Sequence, residues 1–109
     1  MKYYGIAEID ITDPAWTAEY VEKVTRIVEE RGGRYLASTT ATDRLEGERQ
    51  PPQLVVLIEW PSKEAADEFY ASDDYRPFRE ARMNGSRSDL LLFAGEDVTR
   101  AALNLGDGT

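Results

Sequence analysis

Hydrophobic and polar residues alternate with period two along residues 2–11, which predicts a β-strand. A helix start follows at residues 12–14, because Asp13 can accept hydrogen bonds from free amides and Pro14 suits the first helical position. Apolar residues then recur at intervals of three and four as far as Val28. This spacing predicts an amphipathic helix that ends at Arg31, before a glycine pair.

The rest of the chain predicts three more strands and a second, interrupted helix. The run LVVLIEW is nearly all apolar, which is typical of a central strand covered on both faces. The more polar segment before it is typical of an edge strand, and two adjacent prolines between the two segments predict a mobile connection. The predicted elements are an edge strand at 34–42, a connection at 43–53, the central strand at 54–60, a helix from Pro61-Ser62, a second helical piece capped by Asp74 with Pro77 in its first turn, and a last strand at 88–94.

The order β-α-β-β-α-β predicts an α+β domain of ferredoxin-like topology with a four-stranded antiparallel sheet. Right-handed crossovers place the first and third strands side by side in the centre, where we expect these two to run parallel to each other. The domain is predicted to span residues 1–95, followed by a loose tail at 96–109. Helices cover one face only, so the apolar second face of strand 54–60 predicts a homodimer.

Charge and composition remove several classes of function. The 109 residues carry 13 basic and 21 acidic side chains, a net charge of -8, which disfavours binding to nucleic acid or to an anionic membrane. Histidine and cysteine are both absent, which excludes a catalytic triad, thiol catalysis, zinc ribbons and haem held by those residues. No nucleotide or calcium motif is present. We therefore expect no metal and no cofactor, and a cytoplasmic location by default.

Candidate catalytic groups are carboxylates and an arginine. Glu8 and Glu59 lie in the two central strands, where they could share a face and act as an acid–base pair with separated pKa values. The alternative is that an arginine holds each of them. Arg82 is the candidate for binding a substrate carboxylate or enolate, because guanidinium presents a planar fork of donors. Its alternative is a salt bridge to Glu59 or Asp89.

Aromatic residues supply candidate walls for a small-molecule pocket. The chain has six tyrosines and two tryptophans, which suit an aromatic or polyketide-like molecule, although such residues also form ordinary cores. The candidate substrate-binding residues are four aromatic residues that lie on predicted strands: Tyr4, Tyr35, Trp60 and Phe93.

Several motifs together resemble one family. They are IAEIDITDP, GGRYL, LEG, LVVLIEWPS, FYASDDY and Arg82, and they cover about residues 2–95. The chain resembles the uncharacterised DUF1330 family of the dimeric α/β-barrel superfamily, with Trp60 where that family usually has phenylalanine. The resemblance implies a ferredoxin-like subunit and a dimer whose sheets face each other. It implies little about chemistry, because the superfamily includes isomerases, cyclases, cofactor-free monooxygenases and haem enzymes.

Three functions remain open at this point. The first is a small cofactor-independent enzyme that performs acid–base chemistry, as an isomerase, cyclase or lyase, on a small organic acid or an aromatic intermediate. The second is a protein that binds a small molecule without converting it. The third is a cofactor-free monooxygenase, in which the substrate supplies the electrons.

Overall fold

The computed structural model describes residues 1–96, and the predicted tail lies outside the described residues beyond Glu96. The order β-α-β-β-α-β with an interrupted second helix is confirmed. The elements are β1 (Tyr3–Ile11), a 3₁₀ turn (Pro14–Trp16), α1 (Thr17–Glu30), β2 (Arg34–Thr39), β3 (Leu54–Trp60), α2 (Lys63–Ala71), α3 (Arg76–Asn84) and β4 (Ser86–Ala94).

The four strands form one sheet in the order β2-β3-β1-β4, and every neighbouring pair is antiparallel. The expectation that β1 and β3 run parallel is therefore wrong. The crossover through α1 makes β1 and β2 parallel to each other, and β3 returns between them in the opposite direction. The predicted positions of β2 at an edge and β3 in the centre are confirmed.

Local signals set most of the element ends. Asp13 accepts a hydrogen bond from the Ala15 amide at 3.0 Å, although it caps the 3₁₀ turn and not α1 itself. The predicted cap at Asp74 is wrong, because the Ser72 hydroxyl accepts from the Tyr75 amide at 3.2 Å instead. β2 ends three residues earlier than predicted, since the Thr42 hydroxyl donates to the Pro52 carbonyl at 2.6 Å and belongs to the loop.

The core lies between one face of the sheet and the helices. Trp60 from β3 and Phe69 from α2 have ring centroids 5.1 Å apart, and Phe69 stacks on Tyr75 at 4.3 Å. Val24 and Val28 from α1 and Ala66 from α2 also belong to this cluster. Gly33 lets α1 and β3 approach closely, because a Cβ at this position would lie 2.5 Å from Val28 and 2.9 Å from the Trp60 ring.

The opposite face of the sheet, here called the open face, carries exposed apolar side chains. Leu91 is 63% exposed and Phe93 is 43% exposed, both on β4. The loop of residues 40–53 is tied to one end of β1, where the Gln53 amide donates to Asp10 at 2.9 Å and the Ile11 amide donates to Gln53 at 2.8 Å. Within residues 1–96, the apolar side chains of Leu91 and Phe93 on this face therefore stay exposed.

Candidate functional site

The sheet separates the predicted site residues into two groups. Residues that lie opposite each other in an antiparallel pair point to the same face, and Tyr4 lies opposite both Glu59 and Phe93. The open face therefore carries Tyr4, Glu8, Glu59 and Phe93, whereas the helix-covered face carries Tyr35, Trp60 and, from α3, Arg82.

The two predicted carboxylates share a face but do not form a pair. Glu59 lies opposite Tyr4, and Glu8 is four residues further along β1. At the usual rise of a strand, this separation is about 13 Å. Glu59 is bound by Lys2 at 3.2 Å, and Glu8 lies 3.8 Å from Arg44. The predicted acid–base pair is therefore wrong within one chain, and each carboxylate has its own cation.

Arg82 is enclosed in the protein and has no carboxylate partner among residues 1–96. Its side chain is 2% exposed, its Nη1 donates to the Ser88 hydroxyl at 2.6 Å, and its buried Nε has no hydrogen-bond partner in that part of the chain. The predicted alternative, a salt bridge to Glu59 or Asp89, is wrong, because those carboxylates lie on the open face with other cations.

Two tyrosines adjoin the guanidinium of Arg82. The hydroxyls of Tyr20 and Tyr75 are 2.7 Å apart. Burial raises the pKa of Tyr20 well above its usual range, and Tyr75 raises it further, against a smaller opposing effect of Arg82. Burial acts to lower the pKa of Arg82, but Tyr75 and Tyr20 raise it above its ordinary value. The guanidinium thus stays charged, and a neutral Tyr20 cannot compensate that charge.

An apolar pocket of about 320 Å³ lies between the sheet and α2. Its volume is at the lower end of the range for small-molecule sites, roughly 300–1,000 Å³. The pocket is lined by Gly5, Ile6, Ala7, Val56, Ile58, Trp60, Ala66, Asp67, Phe69, Tyr70 and Leu90–Leu92. A flat, largely apolar molecule suits such a lining.

The indole of Trp60 gives the apolar pocket a hydrogen-bond donor. Gly5 leaves its Nε1 uncovered, because a Cβ at position 5 would lie 3.7 Å from that atom. Within residues 1–96 the only enclosed side-chain nitrogen or oxygen without a partner is Arg82 Nε. Since the indole N–H donates to no described group, it is accessible from the pocket that Trp60 lines.

The predicted pocket of four aromatic residues is divided by the sheet, and that arrangement is wrong. Tyr4 and Phe93 contact each other on the open face, with ring centroids 5.7 Å apart. Tyr35 packs against the core from β2, and burial raises its pKa. Of the four, Trp60 lines the apolar pocket. β3 is apolar on both faces, so its sequence did not show which residues face which side.

A second cavity, here called the polar groove, was missed from the sequence. It has a volume of about 660 Å³ and lies between the loop of residues 40–53 and the strands β1 and β4. Its lining consists of Glu8, Asp10, Arg44, Arg49, Gln50, Pro52, Met83, Ser86, Arg87, Ser88 and Asp89. The alternating acidic and basic residues of the loop and of β4 could have indicated this groove in the sequence, but the same pattern is typical of a solvated surface.

In the described part of the chain, neither cavity carries a set of side chains arranged to ligate a metal ion. No group of three acidic side chains that could hold a metal ion occurs in residues 1–96. No helix in the same residues is long and apolar enough to cross a membrane.

Residues 2–96 match the model of a family described as a domain of unknown function, DUF1330. The chain belongs to the DUF1330 family. The match covers every residue that forms the apolar pocket and the polar groove. No curated protein matches this DUF1330 chain.

Solved structures share its fold at low sequence identity. The RPA0582 protein of unknown function from Rhodopseudomonas palustris is 17% identical with a TM-score of 0.72, over 84% of this chain and 80% of that one. SnoaB, a cofactor-independent oxygenase from Streptomyces nogalater, is 15% identical with a TM-score of 0.63, over 91% and 97%. A dimeric ferredoxin-like protein of unknown function from Jannaschia sp. CCS1 is 10% identical with a TM-score of 0.59, over 86% and 99%. These likenesses establish the ferredoxin-like fold of the DUF1330 chain.

Proposed function

We propose that this chain is a small cofactor-independent enzyme whose substrate is an aromatic or polyketide-like molecule bound in the apolar pocket. The observation that carries the proposal is the indole N–H of Trp60, a fixed donor in a largely apolar wall whose other polar side chains, Asp67 and Tyr70, are exposed. A site of this kind orients a flat molecule through one carbonyl or hydroxyl oxygen and excludes water from the rest of it.

The Trp60 donor would act on charge that develops at the substrate oxygen. When a phenol or an enol loses its proton, negative charge builds on that oxygen, and a fixed N–H in a water-poor site stabilises it more than water does. The same donor would therefore serve an isomerase or cyclase, through an enolate, and an oxygenase, through a phenolate.

Oxygenation is the reaction that the pocket favours. An isomerase or cyclase must remove a proton from carbon and therefore needs a positioned base, but the carboxylate among the described lining residues is Asp67, which is exposed and bound by Lys63 at 2.6 Å. A phenol is a much stronger acid than a C–H group and can lose its proton to water, so oxygenation depends less on such a base. Glu8 and Glu59 lie on the other side of the sheet. In an oxygenation the substrate supplies the electrons: one oxygen atom of O₂ becomes a new ring carbonyl, and the other leaves as water with the ring and hydroxyl hydrogens. The SnoaB likeness supports this choice.

The test compares two tryptophan variants with 1-naphthol as the probe. We expect the protein to bind 1-naphthol and to form naphthoquinone with one O₂ consumed per product. Trp60→Phe should keep the fold and lower turnover about a hundredfold, the usual cost of one such donor. Trp16→Phe is the matched control, because Trp16 donates to the Gly85 carbonyl at 3.0 Å outside the pocket.

Each other outcome of that comparison points elsewhere. Turnover without oxygen uptake would favour isomerase, cyclase or lyase chemistry in the same pocket. Naphthol that binds and is recovered unchanged would favour a non-catalytic binding protein. Equal activity of the two variants would contradict the role of Trp60, and absence of binding would contradict the pocket itself.

A second copy of the chain is the partner that the open face fits best. Leu91 and Phe93 are exposed there, and Ile6 and Leu57 lie opposite each other on the same face. Two such faces stacked about a twofold axis would bury an apolar patch in each copy at once. Sedimentation equilibrium should report a dimer, and Leu91→Asp should shift it to monomer while the surface variant Val21→Asp on α1 should not. A monomeric wild-type chain would contradict this assembly.

A further inference from the structure

Arg82 is a buried charge that the described chain leaves uncompensated. Its side chain is 2% exposed, and within residues 1–96 no carboxylate lies within ion-pair distance of it. Its Nε is enclosed and has no hydrogen-bond partner in the same residues. A buried cation is costly unless an anion is near, so the surroundings of this guanidinium favour negative charge.

The contacts of Arg82 lead to the wall of the polar groove. Its Nη1 donates to the Ser88 hydroxyl at 2.6 Å, and Ser88 lines that groove. The neighbouring Ser86 also lines it, but the Ser86 proton is committed to the Arg82 carbonyl. The oxygen of Ser88 accepts from Arg82, and among residues 1–96 the Ser88 proton meets only the Ser86 oxygen, at a long 3.3 Å, a contact that an anion in the groove can replace. A donor polarised by a cation in this way is stronger than an isolated hydroxyl.

The charges of the polar groove favour an anion. Its lining holds three arginines and three carboxylates, and Arg82 behind the wall adds one further positive charge. Arg44 and Arg49 lie 3.8 Å and 4.0 Å from Glu8 and Asp89, respectively. Arg87 has no ion pair among residues 1–96. The groove is thus locally positive in a chain of net charge -8.

We propose that the Ser88 end of the polar groove is a binding site for an oxyanion, the carboxylate or phosphate group of a small molecule. Ser88 donates its proton to the anion, and Arg82 polarises Ser88 from behind. Arg87, the residue between the two serines, supplies its charge to the same groove from the open face of β4. This site is distinct from the apolar pocket, because no residue lines both cavities. It does not depend on the proposed oxygenation.

The test follows backbone amide shifts by NMR during titration with sodium phosphate and, separately, sodium acetate at constant ionic strength. We expect saturable shifts at residues 86–88 in the wild-type chain. Ser88→Ala should weaken binding at least about tenfold, the usual effect of losing one charge-assisted hydrogen bond. Arg82→Met keeps the volume of the side chain and should abolish the shifts. Arg26→Gln, an exposed arginine on α1, is the control for net charge and should bind as the wild type does.

The two titrations distinguish the source of the anion. Saturation by acetate alone indicates a carboxylate ligand, saturation by phosphate alone indicates a phosphate ligand, and either result supports the site. Wild-type shifts that stay linear with salt would overturn it, as would an Arg82→Met variant that binds as tightly as the wild type. If Arg82→Met does not fold, Ser88→Ala and Arg87→Gln carry the same test, and unchanged affinity in both would overturn the proposal.

Discussion

Replacing Gly5 with alanine should stabilise the protein and impair the apolar pocket at the same time. Gly5 lies inside β1, and among residues 1–96, apart from its chain neighbours, an added Cβ would have one atom within 4 Å, Trp60 Nε1, at the ordinary contact distance of 3.7 Å. Glycine within a strand costs roughly 0.5–1 kcal/mol relative to alanine. We therefore expect the free energy of unfolding to rise by about that amount, or roughly 2–8 °C in Tm for a domain of this size.

The same methyl group would stand beside the indole N–H, where a ligand oxygen must approach to about 2.9 Å to form a hydrogen bond. In the Gly5→Ala variant, the affinity for 1-naphthol should therefore be lower than in the wild type, although the free energy of unfolding is higher. Urea unfolding and fluorescence titration measure the two quantities on one sample.

Gly33→Ala is the matched control for this substitution, and its effect on stability should have the opposite sign. A Cβ at Gly33 would lie 2.5 Å from Val28 and 2.9 Å from the Trp60 ring, and overpacking of that kind costs about 1–3 kcal/mol. A Gly5→Ala variant that is less stable than wild type, or that binds naphthol with unchanged affinity, would refute the assigned position of Gly5 at the floor of the pocket.

Two further predictions concern the core residue Phe69 and the partly buried Tyr20. Phe69→Ala should lower the free energy of unfolding by about 3–5 kcal/mol, because Phe69 packs between Trp60 and Tyr75; urea denaturation checks this, and a loss below 1 kcal/mol would contradict the packing. Since burial raises the pKa of Tyr20 in the folded chain, the unfolded chain ionises first, and stability should fall as the pH rises above about 10. Tyr20→Phe should make that fall shallower in unfolding measured between pH 8 and 11, whereas Tyr70→Phe on the exposed face of α2 should not.

Element types and order could be predicted because their causes are local. The apolar spacing of α1, the glycine pair at its end and the alternation of β1 are properties of neighbouring residues. The cap of α3 was predicted at the wrong residue because two residues of capping type, Ser72 and Asp74, precede this helix. The choice between them depends on how the helix packs. The direction of β3 relative to β1 depends on the whole chain path and cannot be obtained from either strand alone.

The candidate site was harder to predict because it depends on strand register. The sequence places Glu8 and Glu59 in adjacent strands, where they could share a face, but only the register shows that they do and how far apart they lie. Trp60 was identified as a wall residue, yet its accessible N–H depends on Gly5 in a neighbouring strand. The absence of a carboxylate partner for Arg82 among residues 1–96 could not be predicted, because it depends on the turn between α3 and β4. That turn brings Ser88, and no acidic side chain, to the guanidinium.

β1 contributes to both cavities. Gly5, Ile6 and Ala7 line the apolar pocket, and Glu8 and Asp10 line the polar groove. Adding or deleting one residue in this strand would reverse the face to which each following side chain points. Glu8 and Asp10 would then point to the face of the apolar pocket. Insertions and deletions among related chains should consequently accumulate in the loop of residues 40–53. There they can change the length and charge of the polar groove without changing the number of residues in β1.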